Sequence, residues 1–212
     1  MIAIRKYFAA PWAIGLVLLA FLAIPSAAIA AKFYVDGTTI ALKPEEKVTP
    51  VAPKPVQILY EFQRDGGPNP KATKFTKPFI FEDLKASGGF TAVAETPVEG
   101  GAVLSIKFNN VVDPEALKKA KKDGFRAGLT FGLAGGAAVE DLYEVTFEYI
   151  PAPGATPIKT VVIHKLVTTI GKVKDAIPGT QFKKAEPAVR ELVRQVMVRG
   201  TNTLFADPAF PR

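Results

Sequence analysis

The feature that most limits how this chain can fold is a pair of β-rich segments in its second half. Residues Asp141 to Ile150 alternate strictly between apolar and polar side chains, and Ile158 to Ile170 is rich in β-branched residues. Such alternation is typical of a strand with one buried face. Pro151 to Thr156 (PAPGAT) separates the two segments with turn residues. The sequence therefore predicts an antiparallel hairpin. Its buried side chains are predicted to be Tyr143, Val145, Phe147 and Tyr149.

Further strands are predicted by the same reasoning. Val56 to Phe62 and Ala102 to Asn109 both alternate, while Phe90 to Glu95 and Lys32 to Ile40 each favour a short strand. The residues predicted to face inward from the first two are Val56, Ile58, Tyr60, Phe62, Leu104, Ile106 and Phe108.

Three helices are predicted. The first covers Thr76 to Ser87, with Pro78 in its first turn, and the second begins at Asp113-Pro114. The third covers Pro187 to Arg199 and ends at Gly200, with its arginines facing outward. The predicted architecture is a single α/β (α+β) domain with a mostly antiparallel sheet and helices on one face.

The amino end carries the pattern of an export signal. Arg5 and Lys6 precede an uncharged apolar run from Ala13 to Ile24, Pro25 follows, and small residues lead to Ala28-Ile29-Ala30. The alternative is an uncleaved membrane anchor, because about 20 apolar residues suffice to cross a bilayer. Both alternatives place the domain in the periplasm. The predicted organisation is signal or anchor at 1–31, proline-rich spacer at 32–55, domain at 56–200 and tail at 201–212. The alternative for the spacer is an ordered arm on the domain surface.

One glycine-rich segment is the candidate contact site. Gly124, Gly128, Gly132 and Gly136 recur every four residues, so on a helix they would form one face that lets another backbone approach closely. Arg126 lies within this segment, and four lysines precede it. A contact with a partner protein or with an anionic lipid surface is predicted there, against the alternative of a buried connector. The lysines are Lys118, Lys119, Lys121 and Lys122.

Catalytic patterns are absent from the sequence. There is no cysteine, His164 is the only histidine, and no serine lies in a nucleophile motif. The adjacent acids Glu45-Glu46, Glu82-Asp83 and Glu140-Asp141 are interpreted as solvated charge. We therefore expect neither an enzyme nor a metal or other cofactor. The net charge is +7, but export makes a nucleic-acid partner improbable.

Two short stretches resemble known envelope domains. Leu84 to Val93 (LKASGGFTAV) and Gly128 to Tyr149 are similar to segments of small α/β domains in Gram-negative envelope proteins. These include the amino-terminal domain of TolB, lipoprotein activators of peptidoglycan synthases and related envelope lipoproteins. The resemblance implies a binding or scaffolding domain in the periplasm.

The function expected from the sequence is a non-catalytic, membrane-associated interaction protein that supports assembly or maintenance of a cell-envelope complex. One alternative is an anchored accessory subunit of a larger membrane complex. Another is a soluble periplasmic carrier of a hydrophobic ligand. The carrier would need a pocket lined by Tyr143, Phe147 and Tyr149.

Overall fold

The computed structural model describes residues 31–37, 41–112, 136–171, 173–174 and 176–211. These residues form eight strands and two α-helices. In chain order they are β1 (Lys32–Val35), β2 (Lys54–Arg64), β3 (Gly67–Pro68), α1 (Pro70–Ala86), β4 (Phe90–Ala94), β5 (Ala102–Val111), β6 (Ala137–Ile150), β7 (Ile158–Ile170), β8 (Thr180–Phe182) and α2 (Ala185–Ala206).

All eight strands belong to one mixed sheet. Its order is β3-β2-β5-β6-β7-β1-β8, and β4 pairs with β2 beside β3. Strand β2 runs parallel to β4 and β5, while the other pairs are antiparallel. The predicted α+β domain with a mostly antiparallel sheet is therefore confirmed.

The predicted hairpin is confirmed as β6 and β7. Tyr149 pairs with Ile158 and Ala137 with Ile170, so the two strands are in register along almost their whole length. Alternation decides which face is buried, because successive side chains of a strand point to opposite faces. The buried residues of β6 include all four that the alternation predicted, Tyr143, Val145, Phe147 and Tyr149.

Both helices pack on the same face of the sheet. Helix α1 lies over β2 and β4, helix α2 lies mainly over β7 and β1, and the two helices contact each other. The core between the layers includes the inward residues of β5 and β6 and a stripe from α2. That stripe contains Ala188, Leu192, Val193, Val196 and Met197.

Helix α1 begins six residues earlier than predicted. The Asn69 side chain accepts a hydrogen bond from the Ala72 N–H at 3.1 Å, and Pro70 occupies the first turn. These are the usual roles of an N-cap residue and of a proline at a helix start. Pro78 consequently lies inside the helix, which was not predicted. Proline has no backbone N–H, so one hydrogen bond of the helix is missing at this position. The packing of the buried residues Thr76, Ile80 and Leu84 offsets that loss.

Helix α2 extends seven residues beyond its predicted end at Arg199. Gly200 does not cap it but lies in its interior, buried against Phe147. Part of the predicted tail therefore continues the helix, and Phe205 and Phe210 join the core. A glycine in its interior destabilises a helix by about 1 kcal/mol. Burial of the two rings stabilises the added turns by more than this amount.

The segment preceding β2 lies on the domain. Strand β1 ends at Val35 and inserts between β7 and β8. After a 3-10 turn at Pro44–Glu46, the Val48 N–H donates to Asn202 Oδ1 at 2.7 Å, and Asn202 Nδ2 donates to the Glu46 carbonyl at 2.9 Å. We call residues 41–50 the arm.

Candidate functional site

Most of the glycine-rich site predicted from the sequence lies outside the described residues. Only Gly136 is described, half-buried immediately before β6. Strands β5 and β6 are antiparallel neighbours, with Val111 opposite Leu142. The chain between them therefore leaves and rejoins the sheet at the same end. The residues outside the description are Lys118, Lys119, Lys121, Lys122, Gly124, Arg126, Gly128 and Gly132, together with the predicted helix at Asp113-Pro114.

The side of the sheet opposite the two helices carries exposed apolar residues. They belong to three strands of the sheet, β2, β6 and β7, and we call this surface the open face. Val161 and Ile163 are neighbours on this face of β7, whereas Leu59 lies on β2, with β5 and β6 between them. The exposed apolar side chains are Leu59 at 50%, Leu142 at 37%, Val161 at 45% and Ile163 at 60%.

Charges of both signs surround these apolar side chains. Glu61 lies opposite Lys107, and Glu148 lies opposite Lys159, each pair sharing the open face of neighbouring strands. Lys165 forms an ion pair with Glu140 at 3.2 Å. The open face therefore combines apolar side chains with alternating acids and bases.

A groove lies on the helical side of the domain, between the arm and helices α1 and α2. Its volume is about 420 Å³, and we call it the arm groove. Apolar atoms from Leu42, Val48, Val198 and Phe205 line it, and Lys43, Lys47 and Arg194 are also part of its wall. Helix α2 holds the arm through Asn202, which hydrogen-bonds to its backbone, and through Arg199, which lies 3.8 Å from the Glu46 carboxylate.

Asp83 is a partly buried carboxylate in the wall of this groove. Arg190 donates two hydrogen bonds to it, at 2.7 and 3.0 Å, and also contacts Glu82 at 3.2 Å. Burial raises the pKa of Asp83, while the hydrogen bonds from Arg190 oppose that rise. The sequence interpretation was wrong here, because Asp83 is not solvated charge and Arg190 does not face outward. Asp83 and Arg190 join α1 to α2 instead.

His164 is 3% exposed and points from β7 towards α2. Its Nε2 lies 2.8 Å from Gln195 Oε1, and Gln195 Nε2 donates to Glu191. Its Nδ1 has no hydrogen-bond partner among the described residues. Burial lowers the pKa of His164 and favours the neutral ring. This environment orients a structural histidine in the core.

The aromatic residues proposed for a carrier pocket are core residues. Phe147 and Tyr149 are almost completely buried, and the Tyr149 ring packs on Phe210 with centroids 4.7 Å apart. Tyr143 packs on Phe108 edge to face, with centroids 5.6 Å apart. The described structure thus does not place them around a ligand cavity, and the carrier hypothesis loses the pocket on which it depended.

The open face and the arm groove were both missed by the sequence reasoning. The run Val161-Val162-Ile163 offered a signal for the open face, because successive side chains of a strand point to opposite faces. An unbroken apolar run therefore places apolar side chains on both faces of the sheet. The groove had no comparable signal, since its walls come from distant parts of the chain.

No described group of three or more His, Asp or Glu side chains is placed to hold a metal ion. In the parts of the chain that the structure describes, no helix is long and apolar enough to cross a bilayer.

The fold defines a class, a two-layer α+β domain with a mixed sheet. No protein-family model matches the chain, and no curated protein does. Among solved structures it is similar to two PelC dodecamers from Paraburkholderia phytofirmans. The one in space group C2 has 15% identity over 76% of this chain and 95% of that chain, with a TM-score of 0.35. The one in space group P6 has 16% identity, covers 72% and 91%, and has a TM-score of 0.33.

A third similar structure is a neuraminyllactose-binding hemagglutinin homolog from Helicobacter pylori. It has 13% identity over 81% of this chain and 91% of that chain, with a TM-score of 0.36. All three similarities are limited to the approximate course of the chain.

Proposed function

We propose that this protein is a non-catalytic, membrane-associated interaction protein of the periplasm that supports the assembly or maintenance of a cell-envelope complex. Its open face binds another protein of that complex. The observation that carries the proposal is the exposure of Leu59, Val161 and Ile163 on a face that neither helix covers.

The charges of the open face favour a protein over a bare membrane as its partner. An anionic lipid surface attracts bases and repels acids. Glu61, Glu144 and Glu148 lie on the same face as Lys107 and Lys159. A protein surface with an apolar centre and charges of both signs matches this arrangement better.

The amino end supports the cellular location. The apolar run after Arg5 and Lys6 is typical of an export signal or an anchor, and each places the domain outside the cytoplasm. The intact mass of the protein from fractionated cells tests this part. A mass lacking residues 1–30 in the periplasm or envelope fraction, or the full mass in the membrane fraction, fits the proposal. Recovery of the full-length protein from the cytoplasm would contradict it.

Site-specific photocrosslinking tests the binding surface in living cells that naturally produce the protein. A photoreactive amino acid is placed at Ile163 or Leu59 on the open face. The control position is Val51, which is 84% exposed but lies outside the sheet. We expect a discrete crosslinked protein, of a mass other than twice that of this chain, from the first two positions alone.

A substitution then tests whether the crosslink depends on the apolar surface. Val161→Glu places a carboxylate beside the crosslinker at Ile163 without entering the core, and Val51→Glu is the matched control. The crosslink should be lost with the first variant and kept with the second. Equal crosslinking from Val51, or a crosslink unaffected by Val161→Glu, would overturn the assignment of this face.

A further inference from the structure

We infer that the arm groove is a binding site for a single-chain anionic amphiphile, a molecule with one long acyl chain and a carboxylate or phosphate head. This site lies on the opposite side of the domain from the open face. It is independent of the partner protein proposed above, because no strand residue of the open face lines the groove.

The interior of the groove suits an acyl chain. Val198 is 43% exposed there, although it is a large aliphatic side chain on a helix whose other apolar residues are mostly buried. Leu42 and Val48 of the arm and Phe205 of α2 provide further apolar surface. A volume of about 420 Å³ falls in the range of about 300–1,000 Å³ that is common for small-molecule sites.

The charges of the groove favour an anionic head. Lys43, Lys47 and Arg194 line it, and Asp83 is the single acid in its wall. Arg194 is paired with Glu191 at 2.6 Å, so the free positive charge of the rim comes from the two lysines. Asp83 is already neutralised by the two hydrogen bonds from Arg190. Neither Lys43 nor Lys47 forms a side-chain ion pair with any described residue. A net positive rim around an apolar interior is complementary to a fatty acid or a lysophospholipid.

The arm provides a way for the ligand to enter. Its attachment consists of the hydrogen bonds that Asn202 makes with the backbone of Glu46 and Val48, an ion pair of Arg199 with Glu46 at 3.8 Å, and the apolar contacts of Val48. One wall of the groove can therefore move without unfolding the sheet, which a ligand with a long chain requires.

Fluorescence titration of the purified chain with cis-parinaric acid, an anionic fatty acid, tests this inference below the concentration at which the probe aggregates. We expect saturable binding. Val198→Glu, which puts a carboxylate into the apolar wall, should weaken binding at least tenfold. Val51→Glu adds the same charge on an exposed valine outside the groove and should leave binding unchanged.

Charge reversal separates the head from the chain. Lys43→Glu and Lys47→Glu should each weaken binding of the fatty acid by up to about fivefold, the scale of an exposed ion pair. Binding of the corresponding uncharged fatty alcohol, measured by its displacement of the probe, should not fall. The charge effect should shrink at high salt.

Three results would overturn the inference. One is the absence of saturable binding by the unmodified chain. Another is equal binding by the Val198→Glu and Val51→Glu variants. The third is binding to phosphatidylglycerol vesicles with none to the monomeric fatty acid, which would indicate a membrane-surface contact. Circular dichroism of each variant shows whether it is folded, and Val198→Thr serves in place of a Val198→Glu protein that does not fold. It keeps the shape of the side chain but replaces a methyl group with a hydroxyl group, and it should still weaken binding.

Discussion

Gly200 of helix α2 and Phe147 of strand β6 are in direct contact, and a Cβ atom at Gly200 would overlap the Phe147 ring. The ring can occupy this position only because residue 200 has no side chain. Helix α2 therefore lies against β6 at a point where any larger residue would have to displace the ring.

Gly200→Ala should destabilise the domain, since the added methyl group overfills a packed core at a cost of about 1–3 kcal/mol. Alanine normally brings a gain of about 1 kcal/mol to a helix interior, so the expected net loss is up to about 2 kcal/mol. Urea denaturation measures the difference. Thr203→Ala, at an exposed position one turn later in α2, is the control and should change stability by less than about 0.5 kcal/mol. An increase in stability for Gly200→Ala would contradict the close packing.

Arg190→Leu should destabilise the domain by about 1–3 kcal/mol, because the partly buried Asp83 carboxylate loses both of its hydrogen bonds. The double variant Asp83→Leu with Arg190→Leu should lose less than the sum of the two single variants. A double-mutant cycle from urea denaturation gives the coupling energy. Additive losses would show that the pair contributes nothing of its own. The exposed Arg194→Ala, which breaks an ion pair within one helix, should cost below about 0.5 kcal/mol.

His164 should make the stability depend on pH. Burial lowers its pKa in the folded state from the usual 6.5, so the unfolded chain binds a proton more readily. The contribution is complete above pH 6.5 and is lost as the pH falls towards the folded pKa. The loss approaches about 1.4 kcal/mol per pH unit for one proton. Gln195, Asp36 and Glu191 oppose the lowering, while Lys165 adds to it.

The measurement is the free energy of unfolding between pH 7.5 and 5.5 for the natural chain and for His164→Leu. The variant should lose less stability over this range, whatever its absolute stability at pH 7.5. Identical slopes for the two proteins would exclude a contribution from His164.

Asn202→Ala should release the arm while leaving the sheet intact. The Val48 amide loses its acceptor and the Glu46 carbonyl loses its donor. We expect the Val48 amide to exchange its hydrogen at least tenfold faster, and trypsin to cut after Lys47 sooner. Exchange in β6 should be unchanged. If the arm stays protected, its apolar contacts and the ion pair between Arg199 and Glu46 are sufficient to hold it.

Local alternation was sufficient to predict most of the sheet. The buried faces of β2, β5 and β6 follow from apolar residues at every second position, because every second side chain of a strand points to the same face. The ends of the helices could not be predicted in the same way. The start of α1 depends on an Asn-Pro pair that also suits a loop, and the end of α2 depends on the contact between Gly200 and Phe147.

The candidate surfaces were less predictable than the fold. The pattern of one strand does not show which of its two faces a helix will cover. The sequence therefore could not show whether Val161 or Val162 is buried, which depends on the packing of α2 on β7. The arm groove depends on Val48 meeting Asn202, 154 residues later. No local signal encodes such a contact.

The position of β1 sets the order in which the domain can be completed. This strand precedes almost all of the described chain, yet its neighbours in the sheet are β7 and β8, and Tyr34 bonds to Gln181, 147 residues away. Closing so large a loop is slow. While the chain is being synthesised, β1 has no strand to pair with until the last third of the protein has followed. This edge of the sheet is therefore completed last, after the strands at its centre have been made.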